Sequence, residues 1–566
     1  GIEQIPASMI ERVEVMRGGG SALFGSSAIA GTINIITKEP MRNSGMLSHT
    51  ITGIGDGDVF DNSTALNASL VTDDQRAGLY IFGQNRHRSA YDHDGDGYSE
   101  IPKLHGQTIG FRSFLKTTTY SKLTFEYHHM EEFRRGGDLL NRPPHEANVA
   151  EQTEHSINGG GLKFDYFSPN ENHRFNVFAS AQHINRDSYY GPGDRDPLDA
   201  YGNTTDLNWM AGSQYVYSFG KCIFMPSDLT AGIEFNQDKL EDNMWGYNRT
   251  VDQKVNIGSA FLQNEWKNDH WGFLIGGRLD KHNLIDHVIF SPRANLRYNP
   301  TENINLRFSY SSGFRAPQAF DEDLHVENVG GNVAMVELAD NLKEERSQSL
   351  SASADIYHRF GAFQVNFLVE GFYTKLSDVF ALTDGEVVDG ILTRTRHNAS
   401  GAQVLGLTLE GKMAYLNKIQ VQAGVTLQQS HYSKPHIWNK EAPAVKKMMR
   451  TPNTYGYFTA TYTPIKPLSI ALSGTYTGSM LVPHEPVPGF LEKPITVNTK
   501  DFFDIGLKAA YDFKLYKSMN LQVNAGVQNI FNAYQNDFDK GADRDSGYIY
   551  GPSLPRSFFA GVKISY

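Results

Sequence analysis

From Ser44 to the last residue, short runs of the chain alternate apolar and polar side chains residue by residue. The closing run is the plainest case. Phe558, Ala560, Val562, Ile564 and Tyr566 fall on one face of an extended strand. Ser557, Gly561, Lys563 and Ser565 fall on the other, with Phe559 the one exception. Successive side chains of a strand point to opposite sides, so such a run makes a ribbon with one apolar and one polar face. Ile304, Leu306, Phe308 and Tyr310 likewise alternate with Asn305, Arg307, Ser309 and Ser311. Leu521, Val523, Ala525 and Val527 oppose Gln522, Asn524 and Gln528. A soluble sheet can hold one strand of this kind. Many of them, with no helical interruption, are the mark of a membrane β-barrel: lipid outside, water or a packed polar lumen inside.

Composition narrows the choice. No run approaches the ~18 apolar residues of a membrane helix, which excludes a helical membrane protein and leaves a barrel open. The 28 Tyr and 34 Phe suit the aromatic girdles of a barrel. A single cysteine, Cys222, excludes a disulfide framework and a multi-cysteine metal site. The net charge of −11 argues against nucleic acid as a partner. No signal peptide is visible, so the chain is expected to be mature, trimmed or incomplete.

The connections alternate too. Short turns fall at Asp73-Asp74-Gln75, Ser168-Pro169-Asn170, Pro300-Thr301-Glu302, Leu416-Asn417-Lys418 and Lys466-Pro467. Long connections fall near 88–105, 134–152, 187–203, 313–344, 431–453, 480–498 and 532–553. Tight turns on one side and large loops on the other describe an up-and-down meander. The expected fold is therefore all-β: a transmembrane antiparallel barrel of about 22 strands over residues 41–566. A barrel so wide must be open or plugged, and residues 1–40 are the plug candidate. They contain strands at Ile10–Met16 and Thr32–Thr37, and a turn at Arg17-Gly18-Gly19-Gly20-Ser21 that calls for glycine's freedom at positive φ. These glycines are not a phosphate loop. G-x-x-x-x-G-K-[ST] is absent, and Leu23 stands where G-x-G-x-x-G needs its third glycine.

The stretch I-E-R-V-E-V-M-R-G-G-G-S-A-L-F-G-S-S-A-I-A-G-T-I-N-I-I-T-K (Ile10 to Lys38) resembles the closing part of the plug domain of TonB-dependent outer-membrane receptors. Ser312 to Pro317 (S-G-F-R-A-P), Asp340 to Glu345 (D-N-L-K-E-E), Val527 to Asn532 (V-Q-N-I-F-N) and Gly551 to Arg556 (G-P-S-L-P-R) resemble that family's barrel. Gly19-Gly20 and Glu344 depart from it, standing where the family often has proline. The family's plug is much longer and begins with a TonB box. The resemblance thus implies a receptor without its energy-coupling end, which is not expected to transport actively as it stands. It further implies a bacterial outer-membrane receptor that takes up a metal chelate, with TonB, lipid and the chelate as partners. A surface lipoprotein capping the loops is left open.

Loops after odd-numbered strands face outside the cell, and three clusters there are candidate sites. Asp92, Asp94, Asp96 and Glu100 follow the first half of a calcium loop, D-x-D-x-D-G. Lys103 stands where an EF-hand has its glutamate, so the group either holds Ca²⁺ with help from other loops or is a solvated acidic turn. The resemblance links calcium to cobalamin transporters of the family. It also makes His325, between Phe314-Arg315-Ala316-Pro317 and Asp340-Asn341-Leu342, a candidate haem ligand, against a chance loop histidine. Arg134, Arg135 and Arg142, with His145 beside them, offer guanidinium groups to an anionic chelate, or are simply solvated in the loop or paired with Glu131 and Glu132.

No catalytic residue is expected, since G-x-S-x-G and H-E-x-x-H are both absent. No cofactor is required, and calcium in the 92–100 loop is left open. The expected function is capture and import of an iron complex, haem or ferric siderophore. A cobalamin transporter is the alternative, and a passive porin or adhesin a further one.

Overall fold

A computed structural model describes residues 5–55, 57, 59–192, 200–329 and 332–566. The middle of the expected 187–203 connection, 193–199, lies outside the described residues. Twenty-two antiparallel strands close into one barrel, from Ser44–Ile54 to Ser557–Ser565. The first and last strands pair from Met46↔Ser565 to Ile54↔Ser557. Gly45 and Tyr566 exchange two backbone hydrogen bonds at the seam, 3.1 and 2.9 Å long. Among the described residues the closed wall leaves no strand edge for lipid to meet.

The alternation sorts as expected. Phe558, Val562 and Tyr566 are 57, 46 and 65% exposed on the outer surface, where lipid lies. Phe559 points inward, over Gly526 directly across from it. Phe372 lies in the same way over Gly406, and on the outer face Phe458 lies over Gly474. The exception in the closing run is therefore an aromatic ring covering a cross-strand glycine.

The wall is uneven. About 9–11 residues carry a tilted strand across the membrane. Ser557–Ser565 and Leu468–Thr477 have 9 and 10, while Ser99–Thr118, Tyr201–Cys222 and Met225–Met244 have 20, 22 and 20. The periplasmic turns are short, so the excess rises outside the cell. The lower side of the mouth is roofed by loops. Asn332–Leu338 runs parallel to Ile391–Asn398, which pairs with Phe380–Val388, and Glu327–Val329 completes a four-stranded sheet. Val326, Val333 and Met335 pack this sheet against Tyr189, Tyr190, Met244 and Tyr247 of the high wall. The 378–401 connection escaped the sequence pattern because its hairpin alternates like a wall strand.

Inside the barrel, Ile10–Arg17 pairs antiparallel with Gly31–Thr37. Between them lies a single helical turn, Ser21–Phe24, against the wall strands Trp271–His282 to Ile304–Arg315. Of the three glycines in the turn, only Gly18 takes a positive φ, +80°. Gly19 is needed for another reason: a Cβ there would lie 2.6 Å from the Ser312 carbonyl carbon. Glu39 then ties the end of the plug segment to Arg112 at 3.0 Å and Lys122 at 3.4 Å.

Candidate ligand vestibule

The high wall and the roof enclose a cavity of about 300 Å³ at the extracellular mouth. Four neighbouring strand ends supply Glu100, Arg134, Glu151 and Tyr190. The loops 316–344 and 529–556 supply Glu327, Phe538, Arg544 and Tyr548. The mix is aromatic faces with charges of both signs, which suits a ligand that is part planar and part charged. A deeper cavity of about 440 Å³ lies between the plug segment Met16–Leu23 and the wall, among Ser309, Ser311, Ser349, Ser351 and Thr374.

The acidic loop borders the vestibule. Ligand oxygens of Asp92, Asp94 and Glu100 lie within 4.8 Å of one another. Ca–O distances are about 2.3–2.6 Å, so three oxygens at that spacing fit a single calcium ion. Asp96 is not part of the set. Its carboxylate accepts from the Gly541 N–H at 2.8 Å and pairs with Arg544. Burial works to raise the Asp96 pKa, but the N–H groups of Gly541 and Tyr98 and the Arg544 guanidinium hold it below the usual carboxylate range. Arg544 also reaches Glu100 at 3.0 Å, and Lys540 reaches Asp94 at 3.4 Å. Two cations of the last external loop thus offset part of the acidic charge.

The basic cluster does not come together. Arg134 faces the lumen, lines the vestibule and pairs with Glu132 at 2.8 Å, as the pairing alternative held. Arg135 points the opposite way, as strand alternation requires. It is 2% exposed and donates to the backbone carbonyls of Gly136 and Asp138. Arg142 is exposed in the loop, and His145 meets the Tyr201 hydroxyl at 3.2 Å. Only Arg134 of the four faces the cavity. His325 stands beside Val326, with its ring edge-on to Tyr190 at 5.1 Å and Nδ1 3.9 Å from Glu151. Arg544, Tyr98 and Tyr548 were missed by the sequence reading. For Arg544 and Tyr548 the signal was the dense charge between Asp539 and Tyr548, D-K-G-A-D-R-D-S-G-Y, and Tyr98 lies inside the acidic run 92–100 itself.

The family model described as "TonB dependent receptor-like, beta-barrel" matches residues 45–530, and the "TonB-dependent Receptor Plug Domain" model matches residues 1–32. The chain belongs to the TonB-dependent receptor family. It is accordingly an outer-membrane barrel receptor, and the family is one of receptors and transporters, not an enzyme class. The receptor is 26% identical over 353 residues to an iron-regulated outer membrane virulence protein of Vibrio cholerae, across 59% of this chain and 49% of that protein. It is 22% identical over 330 residues to the vitamin B12 transporter BtuB of Vibrio vulnificus, across 56% and 49%. The chain spans about half the length of the curated relatives it matches. Its fold matches the siderophore receptor PirA of Acinetobacter baumannii with a TM-score of 0.79 at 17% identity, covering 100% of this chain and 86% of PirA. It also matches the ferric enterobactin receptor PfeA of Pseudomonas aeruginosa with a TM-score of 0.77 at 15% identity, covering 100% of this chain and 87% of PfeA.

Proposed function

We propose that the receptor captures a ferric siderophore at its extracellular mouth and imports it into the periplasm, with TonB supplying the energy. The observation that carries this reading is the vestibule, where aromatic faces stand beside Arg134 and Arg544. Iron chelates of this kind present aryl or carbonyl arms and anionic oxygens. Aromatic faces and guanidinium groups bind both. The iron-regulated relative and the siderophore receptors of the same fold support the choice. In this mechanism the ligand settles in the vestibule, the plug is biased by capture, and TonB then remodels the plug so that the ligand passes. No bond of the ligand is broken. Haem is the other iron complex in view, with His325 as its ligand.

Cobalamin is a second reading. Two observations favour it: the carboxylates of Asp92, Asp94 and Glu100, which would hold calcium and stiffen the loop beside the vestibule, and the similarity to a vitamin B12 transporter. Native mass spectrometry of the full chain in detergent separates the candidates, offered ferric catecholate and hydroxamate siderophores, haem and cobalamin, each with and without calcium. A siderophore adduct weakened severalfold by Arg134→Met is expected. A haem adduct lost in His325→Ala, or a cobalamin adduct that needs calcium, overturns the siderophore reading.

A further inference from the structure

The segment Phe314–Leu324 leaves the top of its wall strand and touches both the plug and the external sheet. On the plug side, the Phe314 N–H donates to Ser21 Oγ at 3.0 Å, and the Ser27 N–H donates to the Phe314 carbonyl at 2.8 Å. Phe314 is 1% exposed. Gly313, just before it, passes so close that a Cβ would lie 2.5 Å from the Ala28 carbonyl oxygen. This end has no slack.

On the loop side, Arg315 stacks 3.9 Å from the Phe320 ring and pairs with Glu322 at 2.5 Å. Arg396, on the external strand Ile391–Asn398, pairs with Glu322 at 3.3 Å and with Asp323. The Arg396 and Asp323 side chains are 9% and 2% exposed. Separating a buried ion pair leaves an uncompensated charge in a poor solvent. Arg396 therefore moves with the Asp321–Leu324 turn or not at all. The far side of the turn is braced on the high wall by Arg186, 3.0 Å from Asp321, and by Gln253, which exchanges hydrogen bonds with Ala319.

We propose that Phe314–Leu324 is a coupling element that passes displacement of the external hairpin Phe380–Asn398 to the plug segment Ser21–Ile29, through Arg396 and Glu322–Asp323 at one end and Phe314 at the other. The inference goes beyond ligand identity and holds for whichever chelate the mouth takes. Coupling of this kind is reciprocal, so loosening the plug contact must also loosen the hairpin.

Hydrogen–deuterium exchange on the full chain in detergent micelles tests it, with heat-modifiable gel migration confirming that each variant is folded. Arg396→Met is compared with Arg394→Met. Arg394 lies two residues away on the same strand, but its partners are Glu327, Asp384 and Glu485. Arg396→Met is expected to raise exchange severalfold in residues 18–30, which it does not touch. Arg394→Met should raise exchange in 478–501 and leave 18–30 unchanged. Glu322→Gln, a milder change of shape, should raise 18–30 less than Arg396→Met. Ser21→Ala should raise exchange in 380–398. Unchanged exchange of 18–30 in Arg396→Met, an equal rise there in both arginine variants, or an unmoved hairpin in Ser21→Ala overturns the proposal.

Discussion

Glu485 sits where five external loops meet. Arg394 approaches it at 3.4 Å and the Asn439 amide donates to it at 3.1 Å, while its own N–H donates to Asp545 at 3.0 Å. Arg394 also holds Glu327 at 2.6 Å and Asp384 at 3.0 Å. One cation thus serves three carboxylates in a buried place. Burial, and then the charge of Asp384, push the Glu485 pKa from 4.5 up to about 8, and burial raises Asp545 as well. The closed bundle therefore binds a proton at neutral pH that an opened bundle releases. The sign follows from linkage: closure is most favoured below about pH 4.5 and is progressively lost as pH rises through about 8. Protection of residues 478–501 against hydrogen exchange, corrected for the intrinsic rate, should fall between pH 6 and pH 9 in the native protein. In Glu485→Gln the fall should be clearly smaller, because the amide carries no titrating charge and only Asp545 is left to titrate. Parallel curves for the two proteins would remove Glu485 as the cause.

Secondary structure was legible where a local rule governs it. Each wall strand must show lipid on one side and the lumen on the other, so its alternation is written into consecutive residues, and the runs at Ile304–Tyr310 and Leu521–Gln528 stand as read. The roof obeys no such rule. Asn332–Leu338 pairs in parallel with Ile391–Asn398, a partner in a different loop, and nothing local to either segment announces it. The site followed the same division. Arg134 and Arg135, grouped in the sequence as one loop cluster, lie on the strand Ser121–Gly137, whose alternation turns them to opposite faces, and Arg544 reaches Asp96 and Glu100 from the far end of the chain. The glycine–aromatic pairs lie between these cases, because each half is visible and only the register joins them. Phe372 stands directly across from Gly406, and a Cβ on Gly406 would meet the ring. Gly406→Ala should force that ring from its place and cost about 1–3 kcal/mol, as overpacking does. In a Phe372→Leu background the same change should cost clearly less. Denaturant unfolding of the four proteins gives the coupling directly, and an unchanged cost in the Phe372→Leu background would show that the ring is not what Gly406 accommodates.

At the scale of the whole molecule, everything depends on a seam between residues more than 500 positions apart. The plug segment needs the wall around it, the roof needs the high wall opposite, and the wall exists only as a closed ring. Ser557–Ser565 is the keystone, pairing with Asn520–Gln528 on one side and with Ser44–Ile54 on the other. Without it, two strand edges would face hydrocarbon. Unpaired backbone groups there cost several kcal/mol each, and together they exceed the whole stability of an ordinary domain, about 5–15 kcal/mol. Neighbouring strands cannot compensate by drawing together. Re-pairing Asn520–Gln528 with Ser44–Ile54 would keep lipid and lumen faces only in a register that respects the period of two, and it would narrow a ring already occupied by the plug segment. Deletion of residues 557–566 should therefore abolish the compact form rather than weaken it. In unheated gel electrophoresis after refolding into detergent or lipid, the shortened chain should run only at its unfolded position, while the full chain shows a faster, heat-sensitive band. A heat-sensitive fast band from the shortened chain would mean that closure does not rest on the terminal strand.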